Sequence, residues 1–250
     1  MDTPDANEHD KSRRFVNRYD IGMTLVELAW ILGGYLSGSI PFALLLGLAA
    51  GVDVRRVGSG NVGATNLGRA LGRKWGIFCF VLDVLKGLVP VVLAGAAMGY
   101  LHDREALTAA QAWKWLAVGA AAVLGHVFPV WLKFKGGKGV ATSLGVLLGF
   151  WPTLTLPGVA ALATWAAVLA VWRYVSLASV AAAIALPVYV LLLTLATGTR
   201  MEQAAPFLCV VTALGLLVVV RHRSNLARIM AGQEPRVGQC HGGDTTVTNN

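Results

Sequence analysis

Seven apolar runs dominate this chain: Ile21–Ala50, Trp75–Met98, Ala112–Leu132, Val140–Trp151, Leu154–Trp172, Ser179–Thr197 and Ala204–Val220. Most approach the ~20 residues that an α-helix needs to cross about 30 Å of hydrocarbon. Composition agrees, because 56% of the 250 residues are hydrophobic, only 14% are charged and the mean hydropathy is +0.62. An ordinary soluble domain carries about 25% charged residues. The runs are continuous and rich in Leu, Ala and Val, not ~10-residue stretches of alternating polarity, which argues against a β-barrel. A helix also satisfies its own backbone groups, as lipid demands. The expected fold is therefore all-α, a polytopic membrane bundle of seven transmembrane helices. The fourth run is short and nearly continuous with the fifth through Trp151-Pro-Thr, so six is the nearest alternative count.

The membrane domain is expected over residues 21–236, between a polar N-terminal extension (1–20) and a disordered tail (237–250). The first run is too long for the apolar core of a cleavable signal peptide and reads as a retained helix. Cys79, Cys209 and Cys240 are odd in number and widely spaced, which suggests neither a disulfide framework nor a zinc site. No metal or other cofactor is implied.

With seven helices the connecting segments alternate sides. Gly51–Lys74, Lys133–Gly139, Arg173–Leu177 and the segment from Arg221 together hold thirteen Lys or Arg residues, against Arg104 and Arg200 alone on the opposite side. The positive-inside rule places the first set in the cytoplasm and the N-terminus outside. Lys11, Arg13, Arg14 and Arg18 oppose this orientation but share their segment with five acidic residues. The net charge of +8 is thus largely a property of one face, suited to anionic lipid headgroups. Nucleic acid is not an expected partner, since the basic residues are interrupted by membrane spans.

Two loops on that face carry chemistry. The first, Val54-Arg-Arg-Val-Gly-Ser-Gly-Asn-Val-Gly-Ala-Thr-Asn-Leu-Gly-Arg69, matches GxGxxG at Gly58, Gly60 and Gly63. No βαβ unit surrounds it, so a dinucleotide site is rejected. Its content still suits phosphate: glycines let backbone N–H groups turn inward, Ser59, Asn61, Thr65 and Asn66 add donors, and Arg55, Arg56 and Arg69 add charge. The second loop, Phe134-Lys-Gly-Gly-Lys-Gly-Val-Ala-Thr142, repeats the recipe with Lys135, Gly136, Gly137, Lys138 and Gly139 just where a helix should begin. Free N–H groups and the positive end of the helix dipole favour an anion beside Lys138. The spacing is not that of a Walker A loop. Taken alone, either loop reads equally as a flexible lipid-facing turn.

Further candidates lie nearby. Ser176 and Ser179 sit at the entry to the sixth helix, where Ser176 reads most simply as a cap. His222 and Asn225 are three apart, on one face if a helix continues beyond the seventh span. Asp83 and Lys86 place opposite charges one turn apart inside a span, either as functional groups or as a self-neutralising pair that fixes packing. His126 reads as a hydrogen-bonded structural residue. Gly145/Gly149 and Gly47/Gly51 have the spacing of close helix packing.

The sequence resembles the bacterial acyl-phosphate-dependent glycerol-3-phosphate acyltransferases, from about Leu32 to Arg236. The resemblance is carried by Ser37-Gly-Ser-Ile-Pro-Phe42, Val57-Gly-Ser-Gly-Asn-Val-Gly-Ala-Thr-Asn66, Leu82-Asp-Val-Leu-Lys-Gly87, Gly125-His-Val-Phe-Pro-Val130, Phe134-Lys-Gly-Gly-Lys-Gly-Val-Ala-Thr142, Tyr174-Val-Ser-Leu-Ala-Ser179 and His222-Arg-Ser-Asn225. It implies seven helices, an outside N-terminus and a cytoplasmic active site in a bacterial inner membrane. It also implies acyl transfer from acyl phosphate to the 1-hydroxyl of sn-glycerol 3-phosphate, giving lysophosphatidic acid and phosphate, with a functional link to a soluble enzyme that makes acyl phosphate. Ser59, Lys138, His222 and Asn225 are the implied catalytic residues. Arg69 and Ser179 are the implied substrate-binding residues, and the composition of the two loops adds Gly60, Asn61, Thr65, Asn66, Gly136, Gly137 and Gly139 as candidates for the same role. A transporter of a phosphorylated solute is the competing class, and the lack of a visible inverted repeat argues against it.

Overall fold

A computed structural model describes residues 23–101 and 107–238. The expected N-terminal extension and residues 239–250 of the expected tail lie outside the described residues. Among those described, every regular element is helical: α1 Leu25–Ser39, α2 Phe42–Ala49, α3 Ala64–Leu71, α4 Arg73–Ala97, α5 Ala109–Val127, a 3-10 turn at Val130–Leu132, α6 Val140–Gly149, α7 Thr155–Trp172, α8 Val175–Thr197, α9 Met201–Arg221 and α10 Arg223–Met230.

Six stretches among the described residues are long and apolar enough to cross a membrane: Leu25–Ala49, Arg73–Ala97, Ala109–Leu132, Thr155–Trp172, Val175–Thr197 and Met201–Arg221. The protein is a multi-pass membrane protein. The fourth predicted run forms only the ten residues of α6, about 15 Å at 1.5 Å per residue, half of a hydrocarbon core. The first predicted run also differs, because it breaks at Ile40-Pro41 into α1 and α2. Proline has no N–H to continue the helix, and it forces the preceding residue into an extended conformation. Lys86 Nζ compensates by donating to the Ile40 carbonyl at 2.8 Å.

Small residues set the helix contacts. Gly34 and Gly38 of α1 face Val118 and Ala122 of α5, and a Cβ on Gly34 would lie 2.7 Å from the Val118 carbonyl oxygen. The rising order on both helices makes the pair parallel. Thr142 packs on Gly87 and Gly149 on Val91, so α6 runs parallel to α4. It runs antiparallel to α5, with Val146 on Gly119 and Gly137 at His126. The expected Gly145/Gly149 packing is present, whereas Gly51 has φ +76° and closes the turn after α2 instead of packing a helix. In the core Trp115 packs tilted against Phe150 with ring centroids 4.4 Å apart, Phe150 meets Phe207 edge-on, and the Trp115 indole donates to the Val91 carbonyl at 2.8 Å.

Inside the bundle Asp83 and Lys86 form an ion pair of 2.8 Å with both side chains 3% exposed, and His126 lies 3.7 Å from the same carboxylate. The pair therefore fastens α4 to the break in the first span through Lys86, whereas His126, expected to be hydrogen-bonded, packs beside the carboxylate from α5 with its buried Nδ1 making no hydrogen bond. That matches the packing role rather than a solvent-reaching site.

Candidate active site

The site grows from the C-terminal end of α5. Gly136 N–H and Gly137 N–H donate to the carbonyls of Val127 and His126, each at 3.1 Å, so the diglycine is laid along the last turn of that helix. Side chains are excluded there, because a Cβ on Gly137 would overlap the His126 ring and one on Gly136 the His126 carbonyl. Gly139 then turns the chain at φ +86°, a conformation that favours glycine, and α6 begins with no side-chain cap. Its first N–H groups and Lys138 share one corner.

Lys138 Nζ donates to Asn225 Oδ1. Asn225 Nδ2 donates in turn to Glu234 Oε1 at 2.6 Å, and Ser176 Oγ donates to the same oxygen at 3.0 Å. Arg228 Nε donates to Glu234 Oε2 at 2.8 Å. Glu234 is 6% exposed, and its partners hold its carboxyl below the usual carboxylate range although burial alone would raise it. Burial, with the Arg228, Arg69 and Arg221 cations against the pull of Glu234, pushes the Lys138 ammonium down to about 8.

His222 occupies the junction between α9 and α10, on the buried side with Asn225. Burial and the nearby Lys138 charge push its imidazole down to about 4, so it is neutral at physiological pH. Its Nδ1 lies 2.8 Å from the Val218 carbonyl. A carbonyl can only accept, so Nδ1 carries the hydrogen and Nε2 presents a lone pair.

The first loop is organised by Asn66, which is 2% exposed. Its Nδ2 donates to the carbonyls of Val54 and Val57 at 2.9 and 3.2 Å, and its Oδ1 accepts from the Ser59 N–H at 3.0 Å. Asn66 thus shapes the loop from within instead of facing a ligand. Ser59, Gly60, Thr65 and Arg69 are exposed around it, with Asn61 half-buried. Arg55 is forked onto Asp53 at 2.8 and 2.9 Å. Arg69 is close enough to Lys138 to depress its basicity, which joins the two predicted loops electrostatically.

Ser179 is 3% exposed, donates to the Val175 carbonyl at 2.8 Å and accepts from the Trp165 indole at 3.2 Å. Ser176, read from sequence as a cap, instead serves Glu234. Glu234 itself was missed by motif reading. The available signal was a lone acid on a basic face, since no other Asp or Glu lies between Glu202 and Asp244. Of the expected tail, Val237 N–H donates to the Arg173 carbonyl at 2.8 Å, and just before it Arg236, the last residue of the expected membrane domain, lies over the Tyr174 ring at 5.2 Å.

The sequence model of the family described as glycerol-3-phosphate acyltransferase matches residues 28–232. The chain belongs to that family. The acyltransferase is 46% identical over 210 residues to the glycerol-3-phosphate acyltransferase of Trichlorobacter lovleyi, covering 84% of this chain and 96% of the relative. It is 44% identical over 212 residues to that of Geobacter sulfurreducens, covering 85% and 98%. Among solved structures it resembles the integral membrane glycerol 3-phosphate acyltransferase PlsY in its glycerol 3-phosphate form, with TM-score 0.70 and 39% identity over 85% of this chain and 96% of that one. The lysophosphatidic acid form of PlsY matches with TM-score 0.69 and 38% identity, covering 85% and 95%.

Proposed function

We propose that the protein transfers a fatty acyl group from acyl phosphate to the 1-hydroxyl of sn-glycerol 3-phosphate, giving lysophosphatidic acid and inorganic phosphate for phospholipid synthesis. The observation that carries this reading is the corner where Lys138, the uncapped start of α6 and a neutral His222 meet. Solved forms of PlsY named for glycerol 3-phosphate and lysophosphatidic acid support the acceptor and product.

Acyl phosphate is an activated anhydride, so positioning and charge stabilisation supply most of what the reaction needs. Lys138, the Gly139–α6 N–H groups and Arg69 hold phosphate, with Ser59, Gly60, Asn61 and Thr65 lining the first loop. Gly136 and Gly137 let the loop lie flat on α5. Asn66 and Ser179 act at one remove, framing the first loop and the α7–α8 contact. His222 Nε2 accepts a hydrogen bond from the attacking hydroxyl, and Asn225 fixes Lys138. An imidazole that titrates near 4 is a weak base, so the proton passes to the departing phosphate. Attack is direct, without an acyl-enzyme.

The site faces the cytoplasm of a bacterial cell across its inner membrane, with the N-terminus outside. The alternating directions of α4, α5 and α6 and the uneven distribution of Lys and Arg support seven crossings, α6 being completed by the residues up to Leu154. A soluble enzyme supplies the acyl phosphate.

The test is to incubate the protein in lipid with palmitoyl phosphate and labelled glycerol 3-phosphate, with Lys138→Ala and palmitoyl-CoA as comparisons. Labelled lysophosphatidic acid from acyl phosphate alone, lost in the variant, is expected. No product from folded protein would overturn the reading and favour transport of a phosphorylated solute.

A further inference from the structure

Arg221 ends α9 immediately before His222, yet its guanidinium reaches the other loop. One nitrogen, Nη2, donates to both the Gly136 carbonyl at 3.0 Å and the Gly137 carbonyl at 3.1 Å. Its cationic centre lies 5.9 Å from the Phe128 ring centroid. The two glycines donate their N–H groups to Val127 and His126 on the opposite side. All four polar groups of the diglycine backbone are therefore engaged, two by the end of α5 and two by Arg221.

The same two segments are joined a second time. Lys138, directly after the diglycine, donates to Asn225, one helical turn beyond Arg221. Residues 136–138 and 221–225 thus form a closed ring with two ties, and His222 stands inside it. A single tie lets two segments pivot about the contact, whereas two ties fix both distance and angle. We infer that Arg221 is a positioning residue for the acyl transfer: by clamping the Gly136–Gly137 backbone it holds Lys138 at a set distance and angle from His222 and Asn225. This inference rests on the reading of the site given above.

Arg221 also contributes a field. The charged groups facing Lys138 are Glu234 from the C-terminal segment, Arg228 from α10, Arg69 from α3 and Arg221 from α9, and the Arg221 cation is one of those that disfavour the ammonium. Loss of that cation raises the pH at which Lys138 gives up its proton. Replacement by lysine keeps a cation but not the planar group that reaches two carbonyls from one nitrogen.

The experiment compares wild type, Arg221→Gln and Arg221→Lys in lipid, each normalised to folded protein by size exclusion. It follows kcat, KM for glycerol 3-phosphate, the alkaline limb of the pH profile, and hydrogen exchange at Gly136 and Gly137 without substrate. For Arg221→Gln a kcat loss of about tenfold or more is expected, an alkaline limb displaced upward by roughly half a pH unit, and exchange at the two glycines faster by about tenfold. For Arg221→Lys a smaller kcat loss and an unmoved limb are expected. For Arg221→Gln, unchanged exchange at both glycines, or a kcat loss with an unmoved limb, would overturn the inference. If the glutamine variant does not fold, a lysine variant with wild-type kcat and exchange would overturn it as well. The exchange measurement needs no turnover, so faster exchange in Arg221→Gln beside a folded wild type that makes no product would sink the acyltransfer reading and leave the clamp standing.

Discussion

Lys138 and Asn225 are 87 residues apart in the chain and share a hydrogen bond. One belongs to the loop before α6 and the other to the helix after the last candidate span, so the bond closes the bundle at its basic face. Each side chain has a second duty, Lys138 as the cation beside the start of α6 and Asn225 as the donor to Glu234.

Because Lys138 titrates at about 8, kcat/KM should fall tenfold per pH unit above that value if the ammonium holds phosphate. Stability should move the other way. Between about 8 and the ordinary 10.5 the unfolded chain holds more protons at this position than the folded one, so unfolding becomes harder as pH rises through that window. A pH series of rates and of thermal unfolding checks both slopes. Activity that stays level to pH 10 would remove the ammonium from the mechanism.

Asn225→Asp should damage the site more than Asn225→Ala. Aspartate cannot donate to Glu234, and it sets a second carboxylate against one already buried. A loss in kcat of about 100-fold is expected, measured on folded protein with KM for glycerol 3-phosphate followed alongside. A near wild-type rate for the aspartate variant would contradict the amide's role as a bridge.

Asp83→Ala strands the Lys86 ammonium inside the bundle, and a loss of about 3–5 kcal/mol is expected. The double variant Asp83→Leu with Lys86→Met should recover much of that, less the cap on the Ile40 carbonyl. Thermal unfolding of the three proteins in one lipid decides it. Equal melting of the single variant and the wild type would show that the pair fixes nothing.

Gly145→Val should cost ~3 kcal/mol or more, because a Cβ at that position overlaps the Val84 carbonyl on α4. The loss belongs to packing, so the rate per folded molecule should change far less than the melting temperature. The reverse pattern would place Gly145 in the site.

What the sequence disclosed depended on how local each signal is. Hydropathy is carried by every residue of a span, so six of the seven runs appear as stretches long and apolar enough to cross a membrane among the described residues. The break at Ile40-Pro41 was hidden because apolar residues continue through it. Glycine and lysine at 136–139 marked a tight basic turn before a helix, since conformation and charge follow from residue type. Burial does not, and so Asn66 was expected to face a ligand but frames the loop. Glu234 was hidden for the same reason, as its importance comes from three donors supplied by α8 and α10.

The position of Glu234 also orders events during synthesis. It follows every candidate span, so all of them leave the ribosome before it. Until that carboxylate folds back between Ser176, Asn225 and Arg228, Asn225 lacks the partner that orients its amide toward Lys138. A nascent chain with its helices already inserted would therefore be inert, and competence would switch on only once the segment after α10 that carries Glu234 had folded back.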